Sequence, residues 1–272
     1  SAIHLALILL GVKANDEVIC QSFTFAATAY PILYQKATPV FVDSELETWN
    51  MCPESLREAI THRIQHHKKP KAIVVVHTYG MPAKMNEIMA ISKEFGIPVL
   101  EDAAGAFGAM YDGKKCGTIG DFGVFSFNNN KIMTTFGGGG LVARDKSQKD
   151  LAIFYATQAK DPVSFYKHSK IGYNYRMSPV AAAIGQHELN DLTLRINNKA
   201  SINAYYNNLF NGINGVTLQN NPNALFRSNF WLSSLLIDAD KCTFNNTMLK
   251  KQLSKDNIES RYLWNPLHLQ PI

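Results

Sequence analysis

Cysteine is scarce in this chain. Cys20, Cys52, Cys116 and Cys242 are the four present, and no two form a CxxC pair. That leaves no zinc spacing, so no metal site is expected, and it reads as a cytoplasmic chain with free thiols. No hydrophobic run reaches the length of a membrane span. The opening stretch Ser1–Leu10 is apolar, but it lacks a basic leader and a cleavage site, so it reads as a buried helix ended by Gly11 rather than as a signal peptide. Charge of one sign is not in large excess: 27 Lys and Arg stand against 22 Asp and Glu, a net +5. The lysines are scattered apart from short groups such as Lys68-Lys69 and Lys114-Lys115, so no nucleic-acid partner is expected. A mildly basic surface suits an anionic small molecule. The motifs of common enzyme classes are also missing. Gly137–Gly140 lacks the Lys-Ser/Thr of a phosphate loop and the context of a dinucleotide fingerprint, so close packing or a tight turn is expected there. Ser126 stands in no G-x-S-x-G elbow, and Cys52 has no general-base partner in its local sequence.

What is present is an ordinary globular composition, 46% hydrophobic and 18% charged, over 272 residues, enough for one domain or two unequal ones. Helical and strand patterns alternate through the first 145 or so residues. Strands are predicted at 17–20, 39–42, 72–76, 98–100, 123–126 and 140–143, with helices at 1–10, 26–34, 53–64 and 83–94 between them. The run Ile73-Val74-Val75-Val76 is apolar without alternation, as in a parallel sheet covered on both faces. A helix is expected at 146–162 and a polar, aromatic loop at 163–177. A long helix follows at 178–210, started by Ser178-Pro179 and broken near Asp191. A strand at 230–238 and a helix at 243–253 capped by Thr243 complete a smaller α+β unit. The division expected is a large domain at 1–177, a connecting helix at 178–210, and a small unit at 211–272.

In a parallel sheet, ligand groups gather at the carboxyl ends of the strands. His77, Glu101, Asp102 and Ser126 all fall there. An acid at one strand end, then Ser126 and Lys131 five residues apart beyond another, is an arrangement suited to pyridoxal 5'-phosphate (PLP). The acid holds the ring nitrogen, the serine binds phosphate, and the lysine forms a Schiff base with the aldehyde. Taken singly, each residue has a plainer reading: Asp102 as a capping or paired acid, Lys131 as a surface lysine, His77 as a satisfied structural histidine. Asn128 is a second phosphate candidate. Ser1 and Ala2 open a helix whose free amides suit an anion. Phe25, after the first strand, is placed to stack on a pyridine ring, or to pack in the core.

Several stretches resemble the DegT/DnrJ/EryC1/StrS aminotransferases: Ser1–Leu7, Ser22–Phe25, Thr38–Asp43, Glu101–Ala104, Phe125–Phe127 with Lys131, and Gly172–Met177. The resemblance covers nearly the whole chain. It implies the α/β fold of type I PLP-dependent transferases, with a mainly parallel seven-stranded sheet and a smaller α+β domain. It implies that Lys131 carries the internal aldimine and shuttles the proton, that Asp102 pairs with the pyridine nitrogen, that Ser126 binds phosphate, and that Phe25 stacks on the cofactor. Asn174 matches an asparagine that reaches the phosphate of a neighbouring subunit, implying a homodimer with shared active sites. Thr48–Pro53 and Glu259–Pro271 resemble the branch that aminates UDP-linked 4-keto-6-deoxy-N-acetylhexosamines for bacillosamine-type glycans. Glutamate is then the donor, and His77 and His268 are substrate-side residues. Gly105 departs from the family's usual Gln, His or Glu, leaving out a side chain beside the cofactor, and Phe136 stands where Gly or Ser is commoner and is expected to crowd its turn. Members usually carry further segments before Ser1 and after Ile272, so the chain reads as truncated at both ends. Two rival readings follow: a homologue, catalytically impaired or regulatory, that binds PLP or sugar nucleotide without turnover, and a PLP-dependent sugar dehydratase. In the related dehydratases a histidine replaces the lysine, so Lys131 favours transamination.

Overall fold

The computed structural model describes residues 1–271. Helix α1 (Ala2–Leu9) leads into β1 (Glu17–Gln21), then α2 (Tyr30–Tyr34), β2 (Thr38–Val42), α3 (Pro53–Gln65), β3 (Ala72–Val76), α4 (Met85–Phe95) and β4 (Val99–Asp102). Two-residue strands β5 (Met110–Tyr111) and β6 (Lys114–Lys115) precede β7 (Phe122–Ser126) and β8 (Gly139–Ala143). Helices α5 (Lys146–Ala156), α6 (Pro179–Glu188) and α7 (Leu192–Phe210) follow. Then come β9 (Val216–Leu218), β10 (Phe226–Arg227), β11 (Leu235–Ile237) and α8 (Asn246–Lys255). Among the described residues no helix is long and apolar enough to cross a membrane.

The main sheet runs β2-β1-β3-β4-β7-β8. Its first five strands are parallel, and β8 closes the edge antiparallel to β7. Among the described residues it has six strands, matching the strand runs of the sequence rather than the seven that the resemblance implied. The unalternating β3 is explained by its two faces. Ile73 and Val75 pack with Leu56 and Ile60 of α3 and Met85 and Ile88 of α4. Ala72 and Val74 pack with Ile3, Ala6 and Leu7 of α1 on the other side. Every residue of β3 is buried, so both faces exclude water. All the parallel strands point their carboxyl ends the same way, bringing Gln21, Val76, Asp102 and Ser126 to one rim.

Local chemistry sets the boundaries. Gly96 ends α4 in the left-handed conformation at φ 59°. Ser178 caps α6 by accepting from the Ala181 amide at 3.2 Å. A 3-10 turn at Leu189–Asp191 separates α6 from α7. Three expectations need correction. Helix α5 stops at Ala156 rather than 162, because Thr157–Ala159 turns out of the helix, with Gln158 and Ala159 at positive φ. Helix α8 is capped by Asn245, which accepts from Met248 N, not by Thr243. Of the strand foreseen at 230–238 only β11 forms, paired antiparallel with β9. Strand β10 pairs back to β5, so part of the segment after 210 belongs to a sheet begun near residue 110.

The glycine run behaves as its packing requires. A Cβ on Gly139 would lie 2.3 Å from the Phe125 carbonyl oxygen, and Gly138 sits at φ +89°. Phe136, by contrast, does not crowd its turn. Its ring is 76% exposed, and the cost lies in its backbone at φ 59°. A residue with a Cβ pays about 1–2 kcal/mol in that region. Phe136→Gly is therefore expected to raise stability by about 1 kcal/mol, less some unfolded-chain entropy. A chemical denaturation midpoint unchanged or lowered by the substitution would contradict this.

Candidate active site

The rim of the parallel sheet opens into a cleft of about 2090 Å³. Asp102, the last residue of β4, is buried at its floor. Its Oδ2 accepts from the Thr28 hydroxyl at 2.8 Å, and its Oδ1 accepts from the Ala104 amide at 3.1 Å. Thr28 is in turn bonded to Thr24 at 2.9 Å. Both donors to the carboxylate are neutral, and no salt bridge within 4.0 Å reaches Asp102 among the described residues. A buried carboxylate in such a place favours a cationic guest.

Lys131 lies in the loop after β7, and its backbone amide donates to the Asn128 carbonyl at 3.0 Å. Burial pushes its amine down to about 8, against the opposing pull of the Asp102 charge. An appreciable fraction is thus neutral near pH 7.5, as a nucleophilic amine requires. The Nζ atom sits 3.6 Å from the centroid of the Trp231 ring.

Ser126 ends β7 and lines the same cleft, with Asn128 beside it; the Asn128 amide donates to the Ser126 hydroxyl at 3.4 Å. The amino end of α1 lines the same cleft through Ser1 and Ala2, where helix amides favour an anion. Phe25 lines the cleft with 58% of its surface exposed, and its ring centroid is 5.7 Å from that of Trp264. Asn174 is exposed at the cleft margin, bridged to Thr157.

The two histidines fare differently. His77 is buried, and both ring nitrogens are occupied. Its Nδ1 accepts from the Ala83 amide at 3.0 Å, and its Nε2 donates to Glu101 at 2.9 Å. Glu101 also accepts from the amides of Gly117, Ile119 and Gly120 at 2.6–2.8 Å. Burial alone would raise the Glu101 carboxyl, but His77 and the amides of Gly120 and Gly117 outweigh it and hold the group below its usual range. This clasp fixes β4 against the loop before β7, and so fixes Asp102. The ring of His77 keeps no free polar atom for a ligand. His268 lies outside the cleft lining, with its Nδ1 2.6 Å from the Ser22 hydroxyl.

Three residues have little signal in the sequence. Thr24 and Thr28 are spaced by four, which fits one face of a helical turn, but nothing in the spacing links them to Asp102. Trp231 is 100 residues from Lys131 and becomes a site residue only through folding.

The residues suit PLP. A buried carboxylate with no salt bridge among the described residues would suit a protonated ring nitrogen, a buried amine of lowered basicity would suit an aldehyde, and Ser126 with the amino end of α1, which lines the same cleft, would suit a phosphate. Fold and site together define a type I PLP-dependent transferase. The sequence profile of the DegT/DnrJ/EryC1/StrS aminotransferase family matches residues 1–272, and the chain belongs to that family. EpsN of Bacillus subtilis, named for pyridoxal phosphate-dependent aminotransferase activity, is 46% identical over 272 residues, which are 100% of this chain and 69% of that protein. A GDP-perosamine synthase of Escherichia coli O157:H7 is 37% identical over 271 residues, covering 100% of this chain and 71% of the synthase. The crystal structure of a DegT DnrJ EryC1 StrS aminotransferase from Brucella abortus superimposes with a TM-score of 0.91 at 32% identity, over 99% of this chain and 70% of that one.

Proposed function

We propose that the chain moves the amino group of glutamate to C4 of a UDP-linked 4-keto-6-deoxy-N-acetylhexosamine, working as a homodimer in which Asn174 reaches the neighbouring subunit's phosphate site. The observation that carries the reading is the cleft itself. At about 2090 Å³ it exceeds the roughly 300–1,000 Å³ of an ordinary ligand pocket, room enough for a cofactor and a nucleotide sugar together. The names of the relatives support a nucleotide sugar: one is a GDP-perosamine synthase, and another, 39% identical over 183 residues, is a UDP-N-acetyl-3-dehydro-alpha-D-glucosamine 3-aminotransferase of Acidithiobacillus ferrooxidans.

Bound in the cleft, PLP supplies an aldehyde for amines and an electron-poor ring that takes up the electron pair left when a proton departs the donor's α-carbon. The Lys131 Nζ would hold the cofactor and, as a free amine, would accept that proton and return it one carbon away. Asp102 keeps a proton on the ring nitrogen, and Thr28 fixes the carboxylate. Ser126, Asn128 and the start of α1 would anchor the phosphate, and Phe25, exposed in the cleft, would stack on the ring.

Protein supplied with PLP and glutamate is expected to release 2-oxoglutarate stoichiometrically. The aminated protein is then expected to convert the UDP-keto-sugar in preference to its GDP counterpart. Turnover of the GDP sugar alone would replace the proposed nucleotide. Release of 2-oxoglutarate with no sugar of either kind aminated would remove the sugar from the proposal.

A further inference from the structure

The space beside Gly105, where the sequence leaves out a side chain next to the cofactor, is filled from far along the chain. A Cβ at Gly105 would lie 2.9 Å from Cε3 of Trp231 and 3.2 Å from its Cζ3. The indole is buried and pinned on several sides. Its Nε1 donates to the carbonyl of Asn130, next to Lys131, at 2.7 Å. Its backbone amide donates to Asn229 Oδ1 at 2.9 Å, and the Asn229 side-chain amide donates to the carbonyls of Gly105 and Phe107, both at 3.0 Å. Tyr79 and Ile132 pack in the same cluster. The ring is thus tied both to the loop that follows Asp102 and to the loop that carries Lys131, with the Lys131 amine 3.6 Å from its centroid.

We propose that Trp231 is a positioning residue for Lys131: its indole face is the seat of the free lysine amine during the reaction, and Gly105 is glycine so that the ring can occupy that seat. The inference rests on the aminotransferase reading of Lys131. An amine that moves a proton between two carbons must stay beside them after it has been displaced, and a four-carbon stem alone does not hold it there. A fixed aromatic face does, because the ring quadrupole attracts the ammonium form without taking its proton. Gly105 then ceases to be a loss. The side chain usual in the family and the indole are alternative occupants of one space.

The test needs no cofactor, so its failure is separate from failure of the aminotransferase reading. Reductive methylation of Lys131 in the cofactor-free protein, followed by mass spectrometry across pH, gives the midpoint at which the amine becomes reactive. The charged groups facing it are Asp102 on β4 and, around a smaller cavity that Lys131 and Trp231 also line, Arg195 and Lys199 on α7. All three stay unchanged in every variant. Trp231→Leu keeps an apolar neighbour but removes the quadrupole, so the midpoint is expected to fall by about half a unit to one unit. Trp231→Phe is expected to keep most of the parent value. Gly105→Ala, which displaces the ring, is expected to move the midpoint as Trp231→Leu does and to be the second arm if that variant does not fold. In the PLP-loaded enzyme, Trp231→Leu is expected to lower kcat about tenfold with the glutamate KM unchanged. A midpoint that stays at the parent value in Trp231→Leu or, if that variant does not fold, in Gly105→Ala would overturn the assignment.

Discussion

Lys131→Ala is expected to abolish amino transfer and to remove the visible absorbance of lysine-bound PLP, while leaving the protein folded. The proposed reaction assigns two functions to this amine: bonding the cofactor, and carrying the proton between carbons. Proton transfer by a placed side chain contributes about 10²–10⁴ in rate, and the covalent role adds to that. The loss in kcat is therefore expected to exceed a thousandfold. Folding should survive because the change removes an amine whose burial costs solvation, as its lowered basicity records. PLP itself is still expected to bind, through Ser126, Asn128 and the amino end of α1, so equilibrium dialysis would find cofactor without the lysine-bound spectrum. A variant that kept that spectrum, or released 2-oxoglutarate within tenfold of the parent rate, would move the covalent role to another residue.

How far the sequence led depends on whether a feature is written locally. The six sheet strands were legible because their apolar runs are short, bounded, and rich in Val and Ile. Their order in the sheet, β2-β1-β3-β4-β7-β8, was not written in those runs. Asp102 and Ser126 were legible as strand-end residues because a parallel sheet sends all its carboxyl ends to one rim. Lys131 was read from its distance to Ser126, with no local pattern to hold it. The ends of α5 and α8 were not legible. Positive φ at Gln158 and Ala159 is uncommon outside glycine, and two capping residues, Thr243 and the stronger Asn245, stand two positions apart before α8. His77 sits at a strand end like Asp102, yet its ring faces Glu101 and the Ala83 amide, and the alternation of side chains along β3 and its exit turn decides that orientation. His268 was drawn by resemblance alone, and its Nδ1 is bonded to the Ser22 hydroxyl outside the cleft lining. Trp231 lay beyond reach for a different reason: its partners at 105, 107 and 130 are brought to it only by tertiary packing, and a lone tryptophan carries no period.

Asp102→Asn is expected to leave the fold intact and to lower kcat by about 10²–10³. The substitution keeps shape and tests charge alone. The remaining carbonyl oxygen can still accept from Ala104, and the new amide can donate to Thr28. That hydroxyl then turns its hydrogen toward Thr24, 2.9 Å away, so the pair of threonines reverses direction and the buried Thr24 hydrogen loses its acceptor, a cost of about 1–3 kcal/mol in stability. What is lost is the anion that, in the proposed reaction, would keep the ring nitrogen protonated, and a preorganised charge of this kind is worth about 2.7–4 kcal/mol of barrier when removed from an enclosed site. A second effect has a definite sign. The Asp102 charge raises the Lys131 amine against the larger lowering by burial, so its removal must bring the amine below about 8. The acidic limb of the pH–rate profile would then move to lower pH while the plateau falls, a combination that damage to packing does not produce. Loss of kcat with the limb unmoved would separate Asp102 from Lys131 electrostatically. Activity within tenfold of the parent would mean that the ring nitrogen is held by something other than this carboxylate.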